Sequence, residues 1–317
     1  MSRLTIFEGP DGSGKTTAAK TYAGHCDARY VHLGTLSGVT ENALGRIYLE
    51  SMLPALLGYQ DVVLDRSWMS EWVYGASMRD GNVRLNDVDG RMLDRLAWRC
   101  ETLVVFCEPP LKKTEQVFRT TKQYVDNLST HRAIYRTYRD ERLTSLPNIT
   151  WDYTQHPDDP FLTFMSEVRI LRSEPHPTNV QSVGNLEAPF LVVGESFAKH
   201  NDFGSFYRYP FVSFKPGSSA YWLTEQLDKY QAAGHHNFDE ANFLWINADD
   251  HVEELIDRWS PRGVGHIMTL GSDARNRLIG IDPNYLITHF VHPQYHKRFN
   301  YHEPYPFCED LVRREKL

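Results

Sequence analysis

The chain has 317 residues, 41% of them hydrophobic and 13% aromatic, which is enough for two packed domains and excludes a chain disordered throughout. Its formal charge of -7 and pI of about 6.1 exclude a globally basic protein, so any contact with DNA needs a local basic surface. Four cysteines, Cys26, Cys100, Cys107 and Cys308, lack paired spacing and point to neither a zinc ribbon nor a disulfide framework, as fits a reducing cytoplasm.

The first expected strand, Leu4 to Phe7, runs into Gly9-Pro10-Asp11-Gly12-Ser13-Gly14-Lys15-Thr16, a complete phosphate-binding loop. Thr17-Ala18-Ala19-Lys20 then suits a helix. In such a loop the glycines let successive backbone N–H groups converge on the phosphates and the lysine reaches the β and γ oxygens. The Thr hydroxyl ligates magnesium, and the helix dipole adds to the anion site. Gly9, Asp11, Gly12, Ser13, Gly14, Lys15, Thr16 and Thr17 are therefore expected around ATP, with Thr16 on Mg2+. A Gly-rich turn matching by accident would lack the strand before it and the helix after it. The spacing is not the Gly-x-Gly-x-x-Gly of a dinucleotide fold.

Further strands are expected at Ala28 to His32, Asp61 to Leu64, Thr102 to Cys107 and Ile149 to Tyr153. Between them, Glu41 to Leu57 and Asp87 to Arg99 carry apolar residues at helical spacing. This alternation predicts an α/β domain over residues 1–171, a parallel sheet with helices on both faces. The polar, turn-rich stretch from Arg172 reads as a linker over residues 172–188. A second α/β domain is expected over 189–317, with strands at Phe190 to Val193, Phe243 to Ile246, His266 to Leu270 and Tyr285 to Val291. Its helices are expected near Tyr221 to Ala232 and from Ala274. Neither half is basic: 21 basic residues stand against 23 acidic ones up to Pro177, and 13 against 18 after it. No window approaches the ~20 apolar residues of a membrane helix, and nothing at Met1-Ser2-Arg3 resembles a signal peptide. A soluble cytoplasmic protein is expected.

A phosphate-binding loop alone does not separate kinases from motor ATPases and GTPases, so the second motif decides. Asp61-Val62-Val63-Leu64-Asp65-Arg66-Ser67 is an apolar strand ending in Asp-Arg. An acid there can hold magnesium directly or through water, and the adjacent guanidinium can grip a phosphate with two parallel hydrogen bonds.

With these residues the chain resembles the thymidylate kinase family, especially its short, phage-encoded members. The likeness rests on Phe7-Glu8-Gly9-Pro10-Asp11-Gly12-Ser13-Gly14-Lys15-Thr16-Thr17 and Leu64-Asp65-Arg66-Ser67, continued by Ser70-Glu71-Trp72-Val73-Tyr74-Gly75, and covers the first half of the chain. It implies that Asp11 and Arg66 lie near the acceptor phosphate, that Lys15 and Thr16 serve ATP and magnesium, and that the protein is a homodimer in the cytoplasm, the host's for a phage-encoded chain. The family's Asp-Arg-Tyr is Asp-Arg-Ser here, and its usual Tyr-Gln pair at the base is replaced by Val73-Tyr74-Gly75.

A kinase must also cover its phosphates, or it becomes an ATPase. The stretch from Lys112 to Arg142 is basic, and Arg119 and Lys122 are expected in a lid that neutralises transition-state charge, the alternative being a solvated helix face. Arg79 and Arg84 flank the turn signal Asp80-Gly81-Asn82 and are expected at the acceptor's phosphate or base. Trp72, with Trp68, is expected either to stack on a base or to form a buried helical face. Catalysis is thus assigned to Lys15, Asp65, Arg66 and Arg119, the acceptor to Asp11, Arg66, Trp72, Arg79 and Arg84, and the metal to Thr16 and Asp65.

In the second half, Val192-Val193-Gly194-Glu195-Ser196, Trp245-Ile246-Asn247-Ala248, Thr269-Leu270-Gly271-Ser272-Asp273-Ala274 and His289-Phe290-Val291-His292-Pro293 fall in order at strand ends. Together they resemble the uracil-DNA glycosylase superfamily. That superfamily's Ala-Pro-Gly after Gly-Glu is Ser196-Phe197-Ala198 here, which implies base recognition or a scaffold role rather than glycosylase activity. Glu195 and His292 are the candidate ligand contacts. His289, His292, His296, His302 and His235-His236 lack the spacing of a metal site, and no metal other than magnesium is expected.

Three functions follow as expectations. The first is an ATP- and Mg-dependent kinase for free deoxynucleoside monophosphates, thymidine-like pyrimidines above all. The second is a kinase for a hydroxymethylated pyrimidine such as 5-hydroxymethyluracil within DNA, with the second domain recognising the base. The third is a nucleotide-sensing binding module.

Overall fold

Nearly continuous apolar runs such as Leu4-Thr5-Ile6-Phe7 suit strands buried on both faces, and the first sheet is built of them. In this computed structural model, residues 2–34, 36, 38–79, 81–121, 124–155, 176, 180–195, 209–248, 251–280, 285–300 and 303–316 are described. The chain divides into two units, residues 1–86 with 100–173 and residues 87–99 with 174–317.

In the first unit β1 (Arg3–Glu8), β2 (Arg29–His32), β3 (Val62–Asp65), β4 (Glu101–Cys107) and β5 (Asn148–Trp151) pair in the order β2-β3-β1-β4-β5. All four pairings are parallel. Helices α1 (Lys15–Cys26), α2 (Glu41–Leu56) and α3 (Trp68–Met78) follow β1, β2 and β3, and α5 (Leu111–Thr120) and α6 (Leu128–Asp140) follow β4. The intervening α4 (Asp87–Ala97) groups with the second unit. Leu4, Ile6, Leu64, Leu103 and Val105 are fully buried, each contributing about 1.5–3 kcal/mol of transfer free energy. Side-chain oxygens cap two of these helices: Ser67 accepts from the Met69 N–H in α3, and Asn127 from the Thr130 N–H in α6.

In the second unit β6 (Val183–Gly184), β7 (Phe190–Gly194), β8 (Phe243–Asn247), β9 (His266–Leu270) and β10 (Leu286–Phe290) pair in the order β10-β9-β7-β8-β6. Only β6 is antiparallel. Helices Ser219–Ala232, Val252–Arg258, Ser272–Arg277, Pro293–Phe299 and Pro306–Arg314 accompany it. Trp245, Leu191, Val193, Ile246 and Ile267 lie at its core.

Two boundaries differ from the sequence expectation. Residues 87–99 do not group with the first unit, because α4 carries buried arginines whose partner is distant in sequence. Arg95 Nε donates to Glu240 Oε1 at 2.7 Å, and Arg91 reaches the Phe238 carbonyl and the same carboxylate. The expected linker at 172–188 is also not all connector. Val180, Val183, Leu186 and Ala188 are buried, and the His176 ring bonds the Ser182 hydroxyl and the Gly184 carbonyl, both at 2.6 Å. Polar residues had masked these apolar positions. Among the described residues, no helix is long and apolar enough to cross a membrane.

Candidate functional site

From β1 the chain goes to one side for β2 and β3 and to the other for β4 and β5. Ligands of open α/β sheets bind at the strand C-termini beside such a reversal. There the first unit holds a cavity of about 950 Å³. Asp11, Gly12, Gly14, Lys15, Thr16 and Thr17 line one wall, and Arg66, Arg79 and Arg84 another. The loop owes its path to glycine: Gly9 has φ 145°, and a Cβ on it would meet the Cys107 carbonyl of β4 at 2.6 Å. Gly9 and Ser13 lie behind the wall, the Ser13 hydroxyl buried without a partner.

Asp11, on the wall of this cavity, gathers the cations. Its Oδ1 accepts from Arg66 Nη2 and, at 3.0 Å, from the Tyr74 hydroxyl, and the Lys15 ammonium stands 3.7 Å away. Arg66 Nη2 also reaches the Tyr74 hydroxyl at 3.0 Å, and the guanidinium lies over that ring, 4.5 Å from its centroid. Burial opposes ionisation of Asp11, but Arg66 and Lys15 hold its carboxyl below the usual range. Burial, with the neighbouring Arg66 charge, pushes the Lys15 ammonium down to about 8. Arg66 itself sits in the left-handed region at φ 74°, its N–H donating to the Phe7 carbonyl at 3.0 Å. The two motifs, far apart in sequence, thus meet across one carboxylate.

Asp65 is fully buried and does not line the cavity. Its Oδ2 accepts from the Tyr30 hydroxyl at 2.7 Å and bonds His32 Nδ1 at 2.8 Å, and His32 is on the wall. Burial raises the Asp65 carboxyl, while the Tyr30 and Thr16 hydroxyls, His32 and Lys15 together hold it below its ordinary value. Its Oδ1 is buried without a hydrogen bond.

Arg79 and Arg84 converge on Glu71, a residue that the sequence reading did not single out. Arg79 Nη2 donates to Glu71 Oε2 at 2.7 Å, Arg84 Nε to the same oxygen at 3.2 Å, and Arg84 Nη2 to Oε1. Arg84 Nη1 also holds the Leu36 carbonyl at 2.8 Å. Tyr48 and Tyr124 also line the cavity. The signal in sequence was a lone acid followed by two arginines, which shows as a cluster only once α3 is folded.

Two expected residues are not brought to the cavity. On α3 the cavity side is Ser70, Glu71 and Tyr74; Trp72, two residues from both ends of that set, turns away and donates its indole N–H to the Leu85 carbonyl at 3.2 Å. On α5, Val117 reaches the wall, and Thr121 just beyond the helix does too, whereas Arg119 lies between them and is exposed to solvent. Lys122 lies outside the described residues.

Among solved structures, the chain is similar to the YorR protein from Bacillus subtilis in complex with phosphorylated GDP, at 20% identity, covering 53% of this chain and 97% of that one, with a TM-score of 0.43. It is similar also to deoxyadenosine kinase from M. mycoides with bound dCTP, at 10% identity, 53% and 99% coverage and a TM-score of 0.36. The same kinase with bound dATP gives 12% identity, the same coverage and the same score. No protein-family model matches the chain, and no curated protein does.

The second unit has its own cavity, of about 640 Å³, lined from three of its four sequence fragments; Trp245-Ile246-Asn247-Ala248 does not reach it. Glu195, Gly271, His289 and His292 line it, with Arg275 and Arg298 and the aromatic pair Tyr295 and Phe299, whose ring centroids are 4.7 Å apart. The Glu195 side chain fills the space where a Cβ on Gly271, at φ 111°, would stand. His292 Nδ1 accepts from the Gln294 N–H at 3.1 Å, and burial lowers the pKa of the ring against the opposing charge of Glu195. Ser196-Phe197-Ala198 and His302 lie outside the described residues, and among those described no cluster of three metal-ligating side chains occurs.

Proposed function

We propose that the protein is an ATP-dependent phosphotransferase acting on a thymidine-like pyrimidine deoxynucleoside monophosphate. The carrying observation is the convergence of Lys15 and Arg66 on Asp11 inside one cavity. Two fixed cations, one on the phosphate-binding loop and one just after β3, suit a donor and an acceptor phosphate held side by side. Phosphoryl transfer asks the protein mainly for positioning and charge neutralisation, which this network supplies without a covalent intermediate.

Magnesium fits the corner formed by Thr16 and Asp65. Thr16 is on the wall, and the buried Asp65 Oδ1 has no hydrogen bond, a situation that a cation or its water relieves. Bound there, the ion would neutralise β- and γ-phosphate charge. Lys15 would hold the β and γ oxygens, and Arg66 the acceptor phosphate. Asp11 fixes the angle between those two cations.

The pyrimidine assignment draws support from another part of the cavity wall. Arg79 and Arg84 bring guanidinium donors, and Glu71 a carboxylate acceptor, together on the cavity wall, a mixed set that can meet the edge of a base. A 2,4-dioxopyrimidine presents acceptor, donor and acceptor; cytosine does not. Tyr48 and Tyr124 supply flat apolar surface for the ring.

The second cavity favours a second reading, phosphorylation of a hydroxymethylated pyrimidine within DNA. Exposed aromatics beside arginines are what a strand with unstacked bases requires. Labelled ATP offered with a panel of free deoxynucleoside monophosphates, or with DNA containing 5-hydroxymethyluracil, separates the two. Label on the thymidine or uridine monophosphates supports the first reading, and label only in DNA replaces it with the second. Tight ATP binding with no transfer leaves a nucleotide sensor.

A further inference from the structure

Glu8, the last residue of β1, is a fully buried acid at the end of an apolar strand, and nothing in the proposed transfer uses it directly. Each of its oxygens takes two hydrogen bonds. Oε1 accepts from the Ser67 N–H at 2.6 Å and the Ser67 hydroxyl at 2.7 Å; Oε2 accepts from the Ser70 and Tyr138 hydroxyls, both at 2.8 Å. Burying an acid with four donors aimed at it is costly unless the donors are held in place, so the arrangement fixes them as much as it satisfies the acid.

What these contacts fix is the neighbourhood of Arg66. That residue is one of three described non-glycine residues with positive φ, a conformation an L-residue keeps only when its surroundings enforce it. On its N-terminal side the Arg66 N–H is held by the Phe7 carbonyl, and immediately after it Ser67 is held twice by Glu8. Ser70 donates to Glu8 while accepting from Arg66 Nη1 at 3.4 Å, so the acid reaches both the backbone and the head of the arginine. We infer that Glu8 is a positioning residue that clamps the left-handed turn at Arg66 and thereby aims its guanidinium at the acceptor phosphate. This inference rests on the phosphotransferase reading and adds to it a residue acting from beneath the cavity.

The test compares wild type, E8Q, R66K and the double variant, with KM and kcat for each substrate and calorimetric ATP binding. Glutamine keeps the size and one acceptor but places an amide N–H against groups that donate to the acid. A misaimed arginine should lower kcat/KM for the acceptor by about 100-fold, with ATP affinity held within about two-fold. The double variant should then be no worse than R66K alone, because E8Q has nothing further to misalign. Y138F, which removes one donor and leaves the acid, should give a smaller acceptor-specific loss of about ten-fold, and it stands in if E8Q does not fold. Equal losses for ATP and acceptor, multiplicative effects in the double variant, or full activity in E8Q or Y138F would overturn the inference. A wild-type protein that transfers no phosphate to any acceptor would show up in the control and would overturn the phosphotransferase reading itself.

Discussion

The two cavities differ in how they hold charge. In the first, Asp11 is paired with Arg66 and Glu71 with Arg79 and Arg84, and behind the wall Asp65 is paired with Tyr30 and His32, through contacts of ordinary hydrogen-bond length or shorter. In the second, Glu195 meets the Ser272 hydroxyl and the Asp273 N–H only at 3.5 and 3.4 Å among the described residues. Polar groups fixed in advance can stabilise developing charge without reorganising, which is what phosphoryl transfer needs. Loosely held ones suit recognition. The comparison supports the proposal that the chemistry lies in the first unit, and it can be attacked from either side.

The largest effect is expected at Lys15. Lys15→Ala should reduce transfer from labelled ATP by about 10³-fold or more while circular dichroism and melting temperature show an intact fold. Full activity in that variant would remove the basis for the first cavity's role. Arg66→Ala comes next, with a loss of about 10²-fold concentrated in kcat/KM for the acceptor. An Arg66 variant that weakens ATP alone would place the guanidinium on the donor and break the two-phosphate arrangement.

Glu71→Gln should act in two ways, since it leaves Arg79 and Arg84 without their counter-charge. Both guanidiniums are partly exposed, so the stability cost falls between that of a surface pair and that of a buried one, about 1–2 kcal/mol by denaturant titration. The acceptor KM should rise about ten-fold, and the preference for thymine over cytosine monophosphates should shrink. A variant with unchanged base preference would remove Glu71 from recognition.

A pH test addresses the second unit. His176 is buried as the neutral ring, with Nε2 donating to the Gly184 carbonyl and Nδ1 accepting from Ser182; burial, with Arg99 nearby, lowers its pKa to about 3 from an ordinary 6.5. Above 6.5 neither folded nor unfolded ring is charged, and the contribution is intact. As pH falls below 6.5, the unfolded chain takes up a proton that the folded one refuses until about 3, so stability is lost across that window. The slope is at most about 1.4 kcal/mol per pH unit. Thermal melts of wild type and His176→Gln from pH 7 to 4 should diverge in slope; parallel curves would refute the assignment.

Much of the fold was legible because its strands are short apolar runs bounded by turn signals. The expected strands at 61–64 and 102–107 fall within one residue of β3 and β4, and that at 266–270 coincides with β9. The phosphate-binding loop and Asp65-Arg66 were legible for the same reason, each being a local motif at the end of a strand. What escaped was long-range pairing. Helical spacing identified α4, but nothing local links Arg95 to Glu240, 145 residues away. Glu8 and Glu71 read as ordinary acids until Ser67, Tyr138, Arg79 and Arg84 close around them. Trp72 and Arg119 were misplaced by a related shortfall: composition identifies a base-stacking or phosphate-binding residue type, whereas its phase on the helix decides whether it faces the cavity.

The smallest expected effect sharpens the comparison most. Arg298 lines the second cavity beside the exposed Tyr295 and Phe299 and has no place in the network around Asp11. Arg298→Ala should therefore leave transfer to free mononucleotides within about two-fold of wild type. If the second cavity holds a strand, the same change should weaken binding of single-stranded DNA by up to about ten-fold at low salt and flatten its salt dependence by roughly one unit of slope. Loss of mononucleotide phosphorylation in this variant would mean that the two cavities are coupled, and that the division of labour inferred from their charges is wrong.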